Sequence, residues 1–89
     1  MSEFLKYVQP ETVFDPETIQ LLAAAFDDAW DRIEKSGSRF ARPAYSRATR
    51  EVVAKRIIDM AQQGVIDPQT LAADSVQFLS DNYREGRKG

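Results

Sequence analysis

From Thr49 to Gly64 the chain reads TREVVAKRIIDMAQQG, and wound as a helix it is apolar around most of its circumference. Val52, Val53, Ala54, Ile57, Ile58, Met60 and Ala61 take the wide arc, and Glu51, Lys55, Asp59 and Gln62 share a narrow polar wedge. A helix patterned this way needs neighbours on two sides, which makes it the expected centre of the fold. Arg56 falls inside the apolar arc, between Val52 and Met60. An unpaired buried guanidinium is too costly to persist, so Arg56 is expected to meet a carboxylate, with Asp27, Asp31 and Glu34 as the first candidates, or else to snorkel out to an interface.

Two further helices flank this one. Phe14-Asp15-Pro16-Glu17-Thr18-Ile19 sets Asp at the cap, Pro at the first helical position and Glu in the first turn, with Phe14 and Ile19 spaced as a hydrophobic staple. The same device recurs at Ile66-Asp67-Pro68-Gln69-Thr70-Leu71, but the likeness stops after one turn and makes no repeat. Helix 1 is expected over 16–35, with Ile19, Leu22, Ala23, Phe26, Trp30 and Ile33 in a stripe and Gly37 ending it in a left-handed cap. Helix 2 is expected over 44–63, with Tyr45 joining the core, and ends at Gly64. Helix 3 is expected over 68–83, with Leu71, Ala72, Val76, Phe78, Leu79 and Tyr83 inward and Asp74, Gln77 and Asp81 outward. Before them, residues 1–14 carry Phe4, Leu5, Tyr7 and Val8 and form an arm over the core; residues 84–89 are a polar tail. The prediction is one all-α domain over 1–89, a small three-helix fold around a central helix 2 with an N-terminal arm.

Composition narrows the chemistry. Eighty-nine residues suit a single domain, and the absence of Cys and His removes disulfides, thiol nucleophiles, Cys/His zinc sites and histidine acid-base catalysis together. No Gly-rich phosphate loop or nucleophile elbow is present, and Asp27, Asp31 and Glu34 form a helix row rather than a calcium-type loop, while Asp28 points further round into solvent. No enzymatic activity, cofactor or metal is therefore expected. No window approaches the apolar length of a membrane span or a signal peptide, so the expected location is cytoplasmic.

Net charge is only -2, yet it is unevenly spread. Arg39, Arg42, Arg47, Arg50, Lys55 and Arg56 face one acid, Glu51, in the middle of the chain; Glu3, Glu11, Asp15, Glu17, Asp27, Asp28 and Asp31 precede them with only Lys6 of opposite sign. The economical reading is that acidic and basic parts satisfy each other within one chain or across a homodimer.

The combination FDPET, AAAFDDAWDRIEKSG and AKRIIDMAQQG resembles a set of small bacterial helical proteins that carry no characterised activity, over roughly Phe14 to Leu79. The motifs involved, Asp15-Pro16, Phe26, Trp30 and Ala54 to Ile58, are structural, so the resemblance implies a recurring small helical domain and lends no site residues.

The functional expectation is a helical protein-protein interaction or regulatory module, binding a protein partner or itself. Leu21, off the main stripe of helix 1, and Ile58, on the flank of helix 2, are candidate contacts, together with Arg39, Arg42, Arg47, Arg50 and Arg56. The alternative is non-specific nucleic-acid binding by the basic stretch 39–56, with Phe40 or Tyr45 stacking on a base. Helix 2, the short turn and helix 3 have helix-turn-helix spacing, but the second helix lacks any Lys or Arg between Asp67 and Tyr83 and offers Asp74 and Asp81 outward.

Overall fold

A computed structural model describes residues 3–8 and 14–82, and every regular element among them is helical. The α-helices are α1 (Pro16–Lys35), α2 (Pro43–Gln62) and α3 (Pro68–Asn82), with short 3-10 turns at Glu3–Tyr7 and Arg39–Ala41. Residues 9–13, Tyr83 and the expected tail lie outside the described residues.

The local chemistry of the helix ends is why these boundaries are sharp. Thr18 N–H donates to the Asp15 carboxylate at 2.9 Å, and Thr70 donates to Asp67 through both its N–H (2.9 Å) and its hydroxyl (2.8 Å). Each Asp thus satisfies one of the donors left over by helix geometry, and each following Pro occupies a position that needs no donor. Gly37 at φ 72° and Gly64 at φ 102° take the left-handed conformation past the ends of α1 and α2. Behind α2, Gly64 N–H donates to Ala61 C=O and Val65 N–H to Met60 C=O, both at 3.0 Å, which is a Schellman closure. The staples differ from the expectation: Phe14 and Ile19 are half-buried, but Ile66 is 47% exposed and does not share the burial of Leu71.

Leu22, Ala25, Phe26, Ala29 and Ile33 of α1, Val53, Ala54, Ile57, Ile58 and Ala61 of α2, and Leu71, Ala72 and Leu79 of α3 form one buried cluster. The alanines let the helices approach closely. α2 touches α1, α3 and both 3-10 turns, but α1 likewise touches α2, α3 and both turns, and α1 with α3 forms the most extensive helix pair, so α2 is not the single centre its pattern predicted. The N-terminal turn inserts Phe4, fully buried, whose ring lies 5.8 Å from that of Phe26, with Tyr7 at 6.0 Å from the same ring. The arm therefore supplies a core residue rather than a cover. Ser75, also fully buried, turns its hydroxyl back onto Ala72 C=O at 3.0 Å, so its burial leaves no unmet donor.

Arg56 is paired, but not with α1. Its Nε donates to Asp74 of α3 at 2.7 Å and its Nη2 to the other carboxylate oxygen at 3.3 Å, and the guanidinium sits 4.6 Å from the centre of the Phe78 ring. Asp74 is consequently half-buried and faces α2 instead of pointing outward. Asp27, Asp31 and Glu34 stay on the exposed face of α1, where Asp31 holds Lys35 at 3.0 Å. Asp28 does not run free into solvent either, since it receives two hydrogen bonds from Arg32 one turn on.

Candidate interaction groove

The second 3-10 turn positions the site. Ser38 caps it, accepting from Phe40 N–H at 3.1 Å, and Arg42 adopts the extended conformation (φ -68°, ψ 150°) that a following Pro demands. Pro43 then opens α2, and the turn leaves Phe40 beside the first turns of that helix. Tyr45 follows, 45% exposed; it does not join the core as its spacing suggested, because it lies at the open end of α2 in line with Ala48 and Val52.

Phe40, Tyr45, Ala48, Thr49, Val52 and Leu79 line an open depression of about 160 Å³ with almost no polar surface. A second, larger depression of about 450 Å³ adjoins it, lined by Ala48, Glu51, Val52, Lys55, Arg56, Asp59 and Phe78. Ala48 and Val52 belong to both, so the two read as one groove running along α2 beside the C-terminal half of α3. Its far end is mixed in charge: Lys55 is tied to Glu51 at 3.0 Å, and Asp74 holds Arg56 and pushes the guanidinium pKa above its ordinary value, chiefly through their hydrogen bonds. Its near end is apolar, with no charged residue in its lining.

The α2 start differs from the other two. Arg42 makes no side-chain cap bond, and the first turn contains no acid. Its first N–H groups therefore present the positive end of the helix dipole next to Arg42 and Arg47, both exposed. At the other two starts, Asp15 and Asp67 carry carboxyl pKa values held below the usual range, Asp15 by the Thr18 hydroxyl and then its N–H, Asp67 by the Thr70 N–H and then its hydroxyl.

The candidate residues named from sequence divide accordingly. Arg42 and Arg47 are exposed but line neither depression, and Arg39 is half-buried in the preceding turn. Arg50 is half-buried too, its guanidinium 4.5 Å from the centre of the Trp30 ring of α1, and Arg56 is engaged by Asp74 and Phe78. Both thus serve the packing of α2 against its neighbours. Leu21 is 37% exposed on α1. Ile58 is not a surface contact: at 8% exposure it belongs to the buried arc with Ala54, Ile57 and Ala61. Ala48, Val52, Phe78 and Leu79 were not singled out as a site. The signal that could have found part of it is the apolar stripe Tyr45, Ala48, Val52 at i, i+3 and i+7, one face of a helix already filled on its other side.

Comparisons with protein-family models, with curated proteins and with solved structures find no match. Among the described residues no cluster of three carboxylates could hold a metal ion, and no helix is long and apolar enough to cross a membrane.

Proposed function

We propose that this chain is a small helical protein-protein interaction module, working by binding rather than by catalysis, and that the groove along α2 is its docking surface. The observation that carries this reading is an apolar depression left open on an otherwise well-filled bundle, walled by Phe40, Tyr45, Val52 and Leu79. Open apolar surface of this kind, rimmed by charge, is how helical modules hold partners. The basic stretch supports nucleic-acid binding less well. Arg50 and Arg56 are committed to Trp30 and Asp74, and Glu51 and Asp59 line the same surface that a polyanion would have to cross. A cytoplasmic location is part of the same proposal.

Capture of partners by the intact chain tests it, with Ala48→Glu as the groove variant and Gln20→Glu, on the exposed side of α1, as the control. A protein retained by the wild type and by the control but lost with Ala48→Glu is the expected result. Equal retention by all three would remove the groove from consideration. Anisotropy with labelled DNA and RNA near roughly 0.15 M salt should show no binding; micromolar binding lost with Arg42→Ala and Arg47→Ala would instead favour the nucleic-acid reading.

A further inference from the structure

The N-terminal turn is seated on the helices as a bound peptide would be. We infer that the cleft beside Phe26, between α1 and α2, recognises a short helical segment of a partner protein carrying aromatic side chains at i and i+3, and that the chain's own Phe4-Leu5-Lys6-Tyr7 occupies it in cis as a built-in competitor. This site is separate from the groove along α2, whose lining takes no residue from α1 or from the N-terminal turn.

Burial within the turn sets the chemistry of the ligand. A 3-10 helix has three residues per turn, so side chains at i and i+3 eclipse. Phe4 is accordingly fully buried and Tyr7 half-buried, while Leu5 and Lys6 between them are exposed. Both rings meet the same aromatic neighbour. The Phe26 ring lies 5.8 Å from that of Phe4 and 6.0 Å from that of Tyr7, tilted at 48° and 42°, within the separations at which aromatic pairs attract beyond their buried area. Aliphatic side chains would fill part of the space and lose those ring contacts. Anchors on one face of a short helical segment, with exposed residues between them, are how such segments are held in a groove.

The turn is also separable from the bundle it sits on. α1, α2 and α3 each pack against the other two without it, and the five residues of the turn pack on α1 and α2. Its backbone closes on itself, Val8 N–H donating to Leu5 C=O at 3.3 Å. A segment anchored by one buried ring and one half-buried ring opens more readily than three interlocked helices. Opening uncovers Phe26 and the space that Phe4 fills. A site of this kind belongs to a minor conformation until a ligand holds it.

A labelled peptide of residues 2–9 tests the inference against the intact chain, beside a second peptide in which Ala replaces both aromatic residues. In Phe4→Ala the tethered arm loses its anchor and leaves the ring-sized space vacant, so this variant should bind the aromatic peptide. The wild type should bind it at least roughly tenfold more weakly, because an open state populated at about a tenth or below lowers the apparent affinity by that fraction. The Ala peptide should bind neither chain. Amide shift changes in Phe4→Ala should centre on Phe26. Ala48→Glu should bind the aromatic peptide as the wild type does, so failure of the groove and failure of this site are told apart. No binding to a folded Phe4→Ala overturns the inference, as do equal affinities for the two peptides, equal affinities for the wild type and Phe4→Ala, or shifts that map away from Phe26. If neither Phe4→Ala nor the milder Phe4→Leu keeps the helical circular dichroism of the wild type, the arm is an integral part of the core and the inference falls. Self-association of the wild type that Phe4→Ala abolishes would place the arm of a second copy in the cleft, and that too overturns a separate partner.

Discussion

The two faces of α2 are built to opposite ends. Its inner face, Val53, Ala54, Ile57, Ile58 and Ala61, is sealed by α1 and α3, whereas its outer stripe, Tyr45, Ala48 and Val52, has walls in Phe40 and Leu79 but no cover. Both are apolar in sequence. What separates them is supply: the chain provides two long helices and an N-terminal turn against the inner face, and only a three-residue turn and the edge of α3 against the outer one. Burial on one side stabilises the fold, and on the other an apolar stripe stays uncovered.

Substitution should split the faces sharply. Ile57, fully buried, loses its packing and leaves a cavity when cut back, so Ile57→Ala is expected to cost about 2 to 5 kcal/mol, a large fraction of the stability of so small a domain. Ala48→Glu, on an exposed position, should stay within about 0.5 kcal/mol of wild type. Urea unfolding of both variants checks the pair. A comparable loss for Ala48→Glu would mean that the outer stripe is closed in solution.

Between the faces stands the Arg56 and Asp74 pair, joining α2 to α3 with both side chains less than a third exposed. Asp74→Asn weakens a charged hydrogen bond at 2.7 Å and should cost about 1 to 2 kcal/mol. Arg56→Met removes the guanidinium but restores apolar contact with Phe78, so it should cost less than Asp74→Ala, which strands the charge. A double-mutant cycle by denaturant titration measures the coupling. A coupling near zero would leave Arg56 as a surface residue that happens to touch Asp74.

The helix starts give a smaller, pH-dependent effect. Since the Asp15 and Asp67 carboxyls are held below their unfolded-state values, their contribution to stability is present above roughly pH 4 and is lost as the pH falls through their folded-state values. Acid titration followed by circular dichroism should therefore show helix weakening below that range, and the effect should shrink when Asp15 and Asp67 are both changed to Ser, an uncharged cap.

How far this could be read from sequence follows from how local each cause is. The Asp-Pro starts and Gly stops act within one helical turn, and the observed bounds, Pro16–Lys35, Pro43–Gln62 and Pro68–Asn82, lie within a residue of those expected wherever the described residues allow comparison. That Arg56 needed a carboxylate was also legible, from its place in an apolar arc. Which carboxylate was not: a helical wheel gives the direction of a side chain on its own axis, while the choice between the α1 row and Asp74 depends on how α3 is placed against α2. Tyr45 and Ile58 were misplaced for a related reason. Both sit on apolar flanks of α2, and only the position of the neighbouring helices decides that Ile58 is covered and Tyr45 is not.

The smallest expected effect tests why the α2 start was left unlike the others. Ala44 lies exposed in the first turn of α2, where no acid stands and no side chain caps the helix. A carboxylate placed there meets the positive end of the helix dipole and the nearby Arg42 and Arg47, so Ala44→Glu should stabilise the fold by about 0.3 to 1 kcal/mol, less at high salt. The expected result is a higher urea unfolding midpoint whose gain shrinks as salt is added. An unchanged or lower midpoint would mean that the first turn of α2 gains nothing from a carboxylate despite its missing cap.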